Sequence, residues 1–168
     1  MIILGLGSNK GDRLANLKKA VAALSEVLQS IKTSPVYESQ ALLPDNASPE
    51  WNKNFLNMAV GGETTLTPQE LLAHVKGLEK KLGRIPEGHW GPREIDIDIL
   101  AYNDKVIDEP GLIIPHPHLL TRDFALVPLA DLAPDWVYPV KGKSYGIKAG
   151  ELARKLPKTL VKLDLAIT

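Results

Sequence analysis

One stretch limits the folds open to this chain more than any other: Trp90-Gly-Pro-Arg-Glu-Ile-Asp-Ile-Asp-Ile-Leu100. Its hydrophobic period is two, which is the period of a strand. Ile95, Ile97 and Ile99 fall on one face and suit a packed sheet. Glu94, Asp96 and Asp98 fall on the other. Two aspartates adjacent on one strand face repel each other, and a cation between them removes that cost. Hard divalent ions such as Mg²⁺ take carboxylate oxygens and often keep phosphates as further ligands. Arg93, just upstream, is the residue type suited to bidentate phosphate contact. A solvated strand face explains a bare Asp-x-Asp as well, and on these residues alone both readings stand.

Composition narrows the alternatives. A chain of 168 residues is read as one domain, 1–168, whose stretch from about 141 to 168 is a basic C-terminal extension. Lys plus Arg equals Asp plus Glu, which gives no support for a general nucleic-acid or membrane surface and leaves a local basic cleft open. No cysteine is present, which excludes disulfides and thiolate chemistry. The N-terminus lacks the charged region and long apolar run of a signal peptide, and no stretch approaches a membrane span. A cytoplasmic monomer is expected.

Along the chain, Met1 to Leu6 reads as a buried strand. Gly5 to Gly11 follows as a tight turn that matches no nucleotide-binding glycine motif. Leu14, Leu17, Val21, Leu24 and Leu28 form one stripe of a helix from Asp12 to Gln29. Ile31 to Gln40 reads as a strand, Ala41 to Asn54 as a long loop suited to a lid, and Phe55 to Val60 as another strand. Asn57 interrupts that strand's apolar pattern; its amide either satisfies backbone or reads a ligand. Thr67-Pro-Gln-Glu70 is a capping box opening a helix to Leu82, with Gly83 past its end. Glu79, in the last turn, reads as an exposed, salt-bridged residue. A second mobile loop, Gly83 to Pro92, carries Arg84, His89 and Trp90. After the central strand a turn at Asn103-Asp104 leads into a hairpin-like return.

His116 and His118 lack further ligands at zinc spacing, which favours phosphate or base contacts. Thr121 is expected to cap a helix bearing Phe124, Leu126, Val127 and Leu129. A short helix near Ala149 to Leu156 and a last strand close the chain. Strand, helix, strand, loop, strand, helix, strand, helix implies an α+β fold of the ferredoxin-like split β-α-β type. Two helices would pack on a largely antiparallel sheet.

Taken together, Gly5-Leu-Gly-Ser-Asn9, Phe55-Leu-Asn57, Glu79 with Gly83-Arg84, the block from Trp90 to Asp98, Pro115-His116, Arg122 with Phe124, and Leu126-Val-Pro-Leu129 resemble 6-hydroxymethyl-7,8-dihydropterin pyrophosphokinase, a folate-biosynthesis family. The resemblance covers roughly residues 2 to 134. It implies transfer of the β,γ-pyrophosphoryl unit of ATP, the co-substrate, to the hydroxymethyl oxygen of 6-hydroxymethyl-7,8-dihydropterin, with release of AMP. It implies that Asp96 and Asp98 hold two Mg²⁺ ions, and that Arg84 and Arg93 neutralise phosphate charge. Glu79, Trp90, Arg93, His116 and Arg122 would serve the nucleotide. Ser39 to Leu42, Phe55, Asn57, Asp96 and Phe124 would hold the pterin, with the ring between Phe55 and Phe124.

This chain departs from the family's pattern in three places. Ile85-Pro86 replaces a second basic residue, His118 stands where many relatives have arginine, and the stretch from Gln40 to Pro44 lacks two consecutive prolines. Two other classes fit less well. An RNA-binding module would need a basic surface and a longer aromatic stretch, and a two-metal nuclease would not call for an aromatic slot.

Overall fold

The computed structural model describes residues 1–83 and 91–167. The chain runs β1 (Ile2–Ser8), α1 (Arg13–Leu24), β2 (Gln29–Thr33), β3 (Val36–Ser39), β4 (Phe55–Glu63), α2 (Pro68–Lys81) and β5 (Asp96–Tyr102). A hairpin, β6 (Ile107–Glu109) and β7 (Leu112–Ile114), precedes α3 (Asp123–Leu132), α4 (Ala149–Arg154) and β8 (Val161–Leu163). One sheet has the order β5-β1-β4-β3-β8, and β2 pairs the far end of β4. Its pairings are antiparallel throughout. With β2 and β3 counted as one interrupted strand, this is the split β-α-β arrangement.

Local chemistry accounts for the boundaries. Asp12 caps α1 by accepting the Ala15 N–H at 3.0 Å. The helix stops at Leu24, short of the expected Gln29, because Gln29 is taken into β2. The expected strand from Ile31 to Gln40 breaks at Ser34-Pro35, since proline has no N–H for the ladder. Ser34 fills the gap: its N–H donates to the Ala59 carbonyl at 2.9 Å and its hydroxyl accepts the Ala59 N–H at 2.8 Å. Thr67 and Glu70 form the reciprocal capping box of α2. Gly83 follows that helix with φ +97°, a conformation that suits glycine. Thr121 does not cap α3: Arg122 holds the cap position without a side-chain bond, and the Thr121 hydroxyl donates to the His118 carbonyl.

Two cores flank the sheet. One joins α1 and α2, through Leu17, Leu24, Leu71 and Val75, to Leu4, Leu6, Met58, Ile97 and Ile99. The other puts Leu126, Leu129 and Leu152, from α3 and α4, over Ile3, Ala59 and Ala101. The sheet is therefore covered on both faces. Ile95 and Ile97 are fully buried, and such a side chain is worth roughly 1.5–3 kcal/mol. A one-residue slip of β5 would exchange them for Asp96 and Asp98. The isoleucines thus fix the aspartates on the opposite face. Between Ile99 and Ala101 the register against β1 shifts by one residue. This bulge turns both Leu100 and Ala101 toward the second core.

Candidate active site

Where α3 leaves the sheet uncovered, the same face carries a pocket of about 430 Å³. Gly5 and Gly7 form its floor. They lie within β1, not in the turn after it, and alternate with the buried Leu4 and Leu6. A Cβ on Gly7 would meet Phe55 and the Asn57 Oδ1 at 3.4 Å; one on Gly5 would meet Leu100 at 3.2 Å. Glycine keeps the floor flat. Gly7 pairs with Asn57 on one side and Asp96 on the other, so the three form one row across β4, β1 and β5. Two strand spacings put Asn57 and Asp96 roughly 10 Å apart.

At the β4 end of the row the Asn57 amide donates to the Ser39 hydroxyl at 2.7 Å, and both residues are buried. Phe55, Ser39, Gln40 and Leu42 line this end, and Phe124 faces it from the start of α3. Leu42 is half exposed at the mouth. The Arg122 guanidinium lies 5.8 Å from the centre of the Phe124 ring, within cation–π range.

At the β5 end the charges gather. Arg93 Nη1 donates to Asp96 Oδ2 at 3.0 Å. The Arg93 backbone is clamped by Asn9: its N–H donates to Asn9 Oδ1 at 2.7 Å, and the Asn9 N–H donates to its carbonyl at 3.0 Å. The same Asn9 amide donates to the Lys53 carbonyl at 3.1 Å, at the base of the long loop. Lys76 Nζ, from α2, lies 3.3 Å from Glu79 Oε1 and 4.0 Å from Asp98 Oδ1. Glu79 is 3% exposed and sits behind β5, where Oε1 accepts the Ile97 N–H at 2.7 Å. It is neither the exposed residue expected from its helix position nor part of the pocket lining.

Opposite β5, His116 is tied to the bulge by its N–H, which donates to the Leu100 carbonyl at 3.0 Å. Its Nδ1 accepts the His118 N–H at 3.1 Å, and its Nε2 lies 4.0 Å from Asp98 Oδ2. Burial, then the positive charge of Arg122, pushes the imidazole down to about 4, so it is neutral near pH 7. With Nδ1 accepting, the ring proton sits on Nε2, toward Asp98. Burial and the neighbouring Asp96 raise the Asp98 carboxyl to about 6, against the pull of Lys76 and Arg93.

Among the described residues no group of three or more His, Asp or Glu surrounds a single metal position. Mg²⁺ does not require one, because it binds through one or two carboxylates and leaves the remaining positions to phosphates and water. The Asp96–Asp98 pair fits that donor set, and the raised Asp98 carboxyl marks anionic charge that a cation would relieve.

The structure brings Ser39, Leu42, Phe55, Asn57, Arg93, Asp96, Asp98, His116, Arg122 and Phe124 to one pocket. Arg84 and Trp90 lie outside the described residues. Gly5, Gly7, Asn9 and Lys76 were not singled out from the sequence as site residues. The period-two alternation of glycine with leucine in β1 carried the signal for the first two.

The family model "7,8-dihydro-6-hydroxymethylpterin-pyrophosphokinase (HPPK)" matches residues 3–134. The chain is 46% identical over 142 residues to the 2-amino-4-hydroxy-6-hydroxymethyldihydropteridine pyrophosphokinase of Aquifex aeolicus, covering 84% of this chain and 86% of that one. It is 39% identical to the folate synthesis bifunctional protein of Chlamydia caviae, covering 93% of this chain and 36% of that protein. The wild-type HPPK-DHPS crystal structure of Plasmodium falciparum is similar in fold, with a TM-score of 0.65 at 18% identity. That match covers 92% of this chain and 44% of the other. The chain thus spans less than half of the two longer proteins.

Proposed function

Because this chain belongs to the 7,8-dihydro-6-hydroxymethylpterin-pyrophosphokinase family, and so transfers pyrophosphate from ATP to the hydroxymethyl group of the dihydropterin in folate synthesis, we propose that the pocket on β1, β4 and β5 is where it does so, with two Mg²⁺ ions on Asp96 and Asp98. The observation that carries this reading is the row Asn57–Gly7–Asp96. A flat bicyclic ring laid over Gly7 has an amide at one end and the charged groups at the other.

The pterin would stack between Phe55 and Phe124. Asn57, oriented by Ser39, would read its polar edge, with the backbone of Ser39 to Leu42 reading the rest. Its hydroxymethyl group would then point at Asp96 and Asp98. Arg93 would meet the charge developing on the transferred phosphates, and His116 and Arg122 would hold the triphosphate. Neutral His116 can donate from Nε2 without adding charge. Glu79 would serve the nucleotide side indirectly, by holding Lys76. Arg84 and Trp90 are proposed as phosphate and nucleotide contacts on their motif alone. Bound Mg²⁺ supplies neutralisation of the triphosphate and acidifies the attacking hydroxyl.

We read residues 1–168 as one domain that includes the basic extension, working as a cytoplasmic monomer. The docking of β8 and α4 on the rest of the fold supports the single-domain reading. No helix among the described residues is long and apolar enough to cross a membrane.

The test is nucleotide turnover with and without the dihydropterin, at stepped Mg²⁺ and after chelation. AMP formed only with the pterin and only with the divalent ion supports the assignment. ADP in place of AMP, or AMP release that survives chelation, overturns it.

A further inference from the structure

The family match ends at residue 134, yet residues 135–167 do not trail away from the fold. They return along α3, where Gly150 donates to the Pro134 carbonyl at 3.0 Å and Ala149 to the Trp136 carbonyl at 2.8 Å. Ala149 and Leu152 of α4 are buried in the second core. The chain then crosses the start of α3 and ends on the sheet, where β8 pairs with β3: Val36 faces Leu163, Tyr37 faces Lys162 and Glu38 faces Val161. On the way the Thr159 hydroxyl donates to Asp123 Oδ2. The other oxygen of that carboxylate, Oδ1, accepts the backbone N–H of Phe124 at 2.8 Å. Asp123 therefore joins this segment directly to the backbone of a residue on the pocket wall.

The two elements the segment holds carry the two sides of the pocket's apolar end. β3 ends in Ser39, the acceptor for Asn57. α3 begins next to Arg122 and Phe124. Arg122, at the cap position of α3, makes no side-chain cap bond; Asp123 and its partners hold this turn together with the backbone N–H groups of Thr121 and Arg122, which donate to the His118 carbonyl.

We propose that residues 135–167 form a strap that sets the gap between β3 and the start of α3, and that Thr159 is a positioning residue for Phe124, acting through Asp123. This rests on reading Phe124 as a pterin-stacking residue. The strap's hydrogen bond and strand pairing reach α3 and β3, the two walls of the apolar end, so its effect falls first on the flat ring and more weakly on the nucleotide, which Arg122 of the same turn would contact.

The experiment compares Thr159→Val, Thr159→Ser and Phe124→Ala with the unaltered full-length protein. Binding of 6-hydroxymethyl-7,8-dihydropterin is titrated in the presence of Mg²⁺ and an ATP analogue that cannot transfer pyrophosphate, and binding of the analogue is titrated separately. Loss of one hydrogen bond in the chain should weaken pterin binding roughly threefold to tenfold in Thr159→Val. Analogue binding should fall less than pterin binding, and Thr159→Ser should restore the pterin affinity. Thr159 is exposed, so the variants are expected to fold. Unchanged pterin affinity in Thr159→Val, or equal loss for both ligands, overturns the strap. If Phe124→Ala itself leaves pterin affinity intact, the stacking assignment fails instead.

Discussion

The Asn57 side chain donates to the Ser39 hydroxyl at 2.7 Å, between strands that meet residue for residue from Tyr37–Asn57 to Ser39–Phe55. An asparagine in an apolar strand is thereby given one orientation before any ligand arrives. Ser39→Ala would remove the acceptor and leave a buried amide donor unmatched, at a cost of about 1–3 kcal/mol. A lower melting temperature together with weaker pterin binding is expected. Thermal denaturation and a pterin titration check it; a variant equal to wild type in both would show that the bond orders nothing.

Gly7→Ala separates folding from function. The added Cβ meets its neighbours at 3.4 Å, ordinary contact distance, and Gly7 lies in a strand that alanine can adopt. Stability should hold or rise by up to about 1 kcal/mol. The methyl group would stand on the pocket floor, where the ring is placed. The KM for the pterin should rise severalfold with the KM for ATP nearly unchanged. Steady-state kinetics with each substrate varied in turn would show this, and equal rises would move the pterin off the floor.

Asp98 predicts a pH signature in the metal-free protein. Its carboxyl is raised to about 6 from an ordinary 3.8. A raised carboxyl binds its proton more tightly when folded than when unfolded. The site therefore lowers stability once the pH exceeds about 6, and that loss fades as pH falls toward 3.8. Its side chain keeps 39% exposure, so water screens much of the penalty and about 1 kcal/mol remains. Asp98→Asn should raise the melting temperature of chelated protein near neutral pH and lose that advantage in acid. A melting-temperature series across pH decides it; a destabilised variant near neutrality would contradict the electrostatic account.

Much of this site was legible in the sequence, for a physical reason. Asp96, Asp98 and the isoleucines between them share a strand, and period two is visible without knowing what the strand touches. The helix stripe of Leu17, Val21 and Leu24 is local in the same sense. Glu79 was not legible. Its main partner, the Ile97 N–H, lies 18 residues away, and helix position alone argued for solvent. Asn9 and Lys76 escaped for the same reason: each matters through a group distant in sequence. The break at Ser34-Pro35 was legible in principle, since proline's missing donor is a local fact. The helices of the second layer and the last strand were expected, but their packing together over the sheet was not. α4 and β8 are short, and their pattern gains meaning only against α3 and β3.

The central claim is that one strand face, fixed by Ile95 and Ile97 on its reverse, presents Asp96 and Asp98 as the charged end of the pocket. Pyrophosphoryl transfer by Asp96→Ala and Asp98→Ala tests it most directly, with circular dichroism and melting temperature as checks on the fold. Loss of several kcal/mol of transition-state stabilisation corresponds to a fall in turnover of roughly a thousandfold or more, with the fold retained. Turnover close to wild type in either variant would contradict the account.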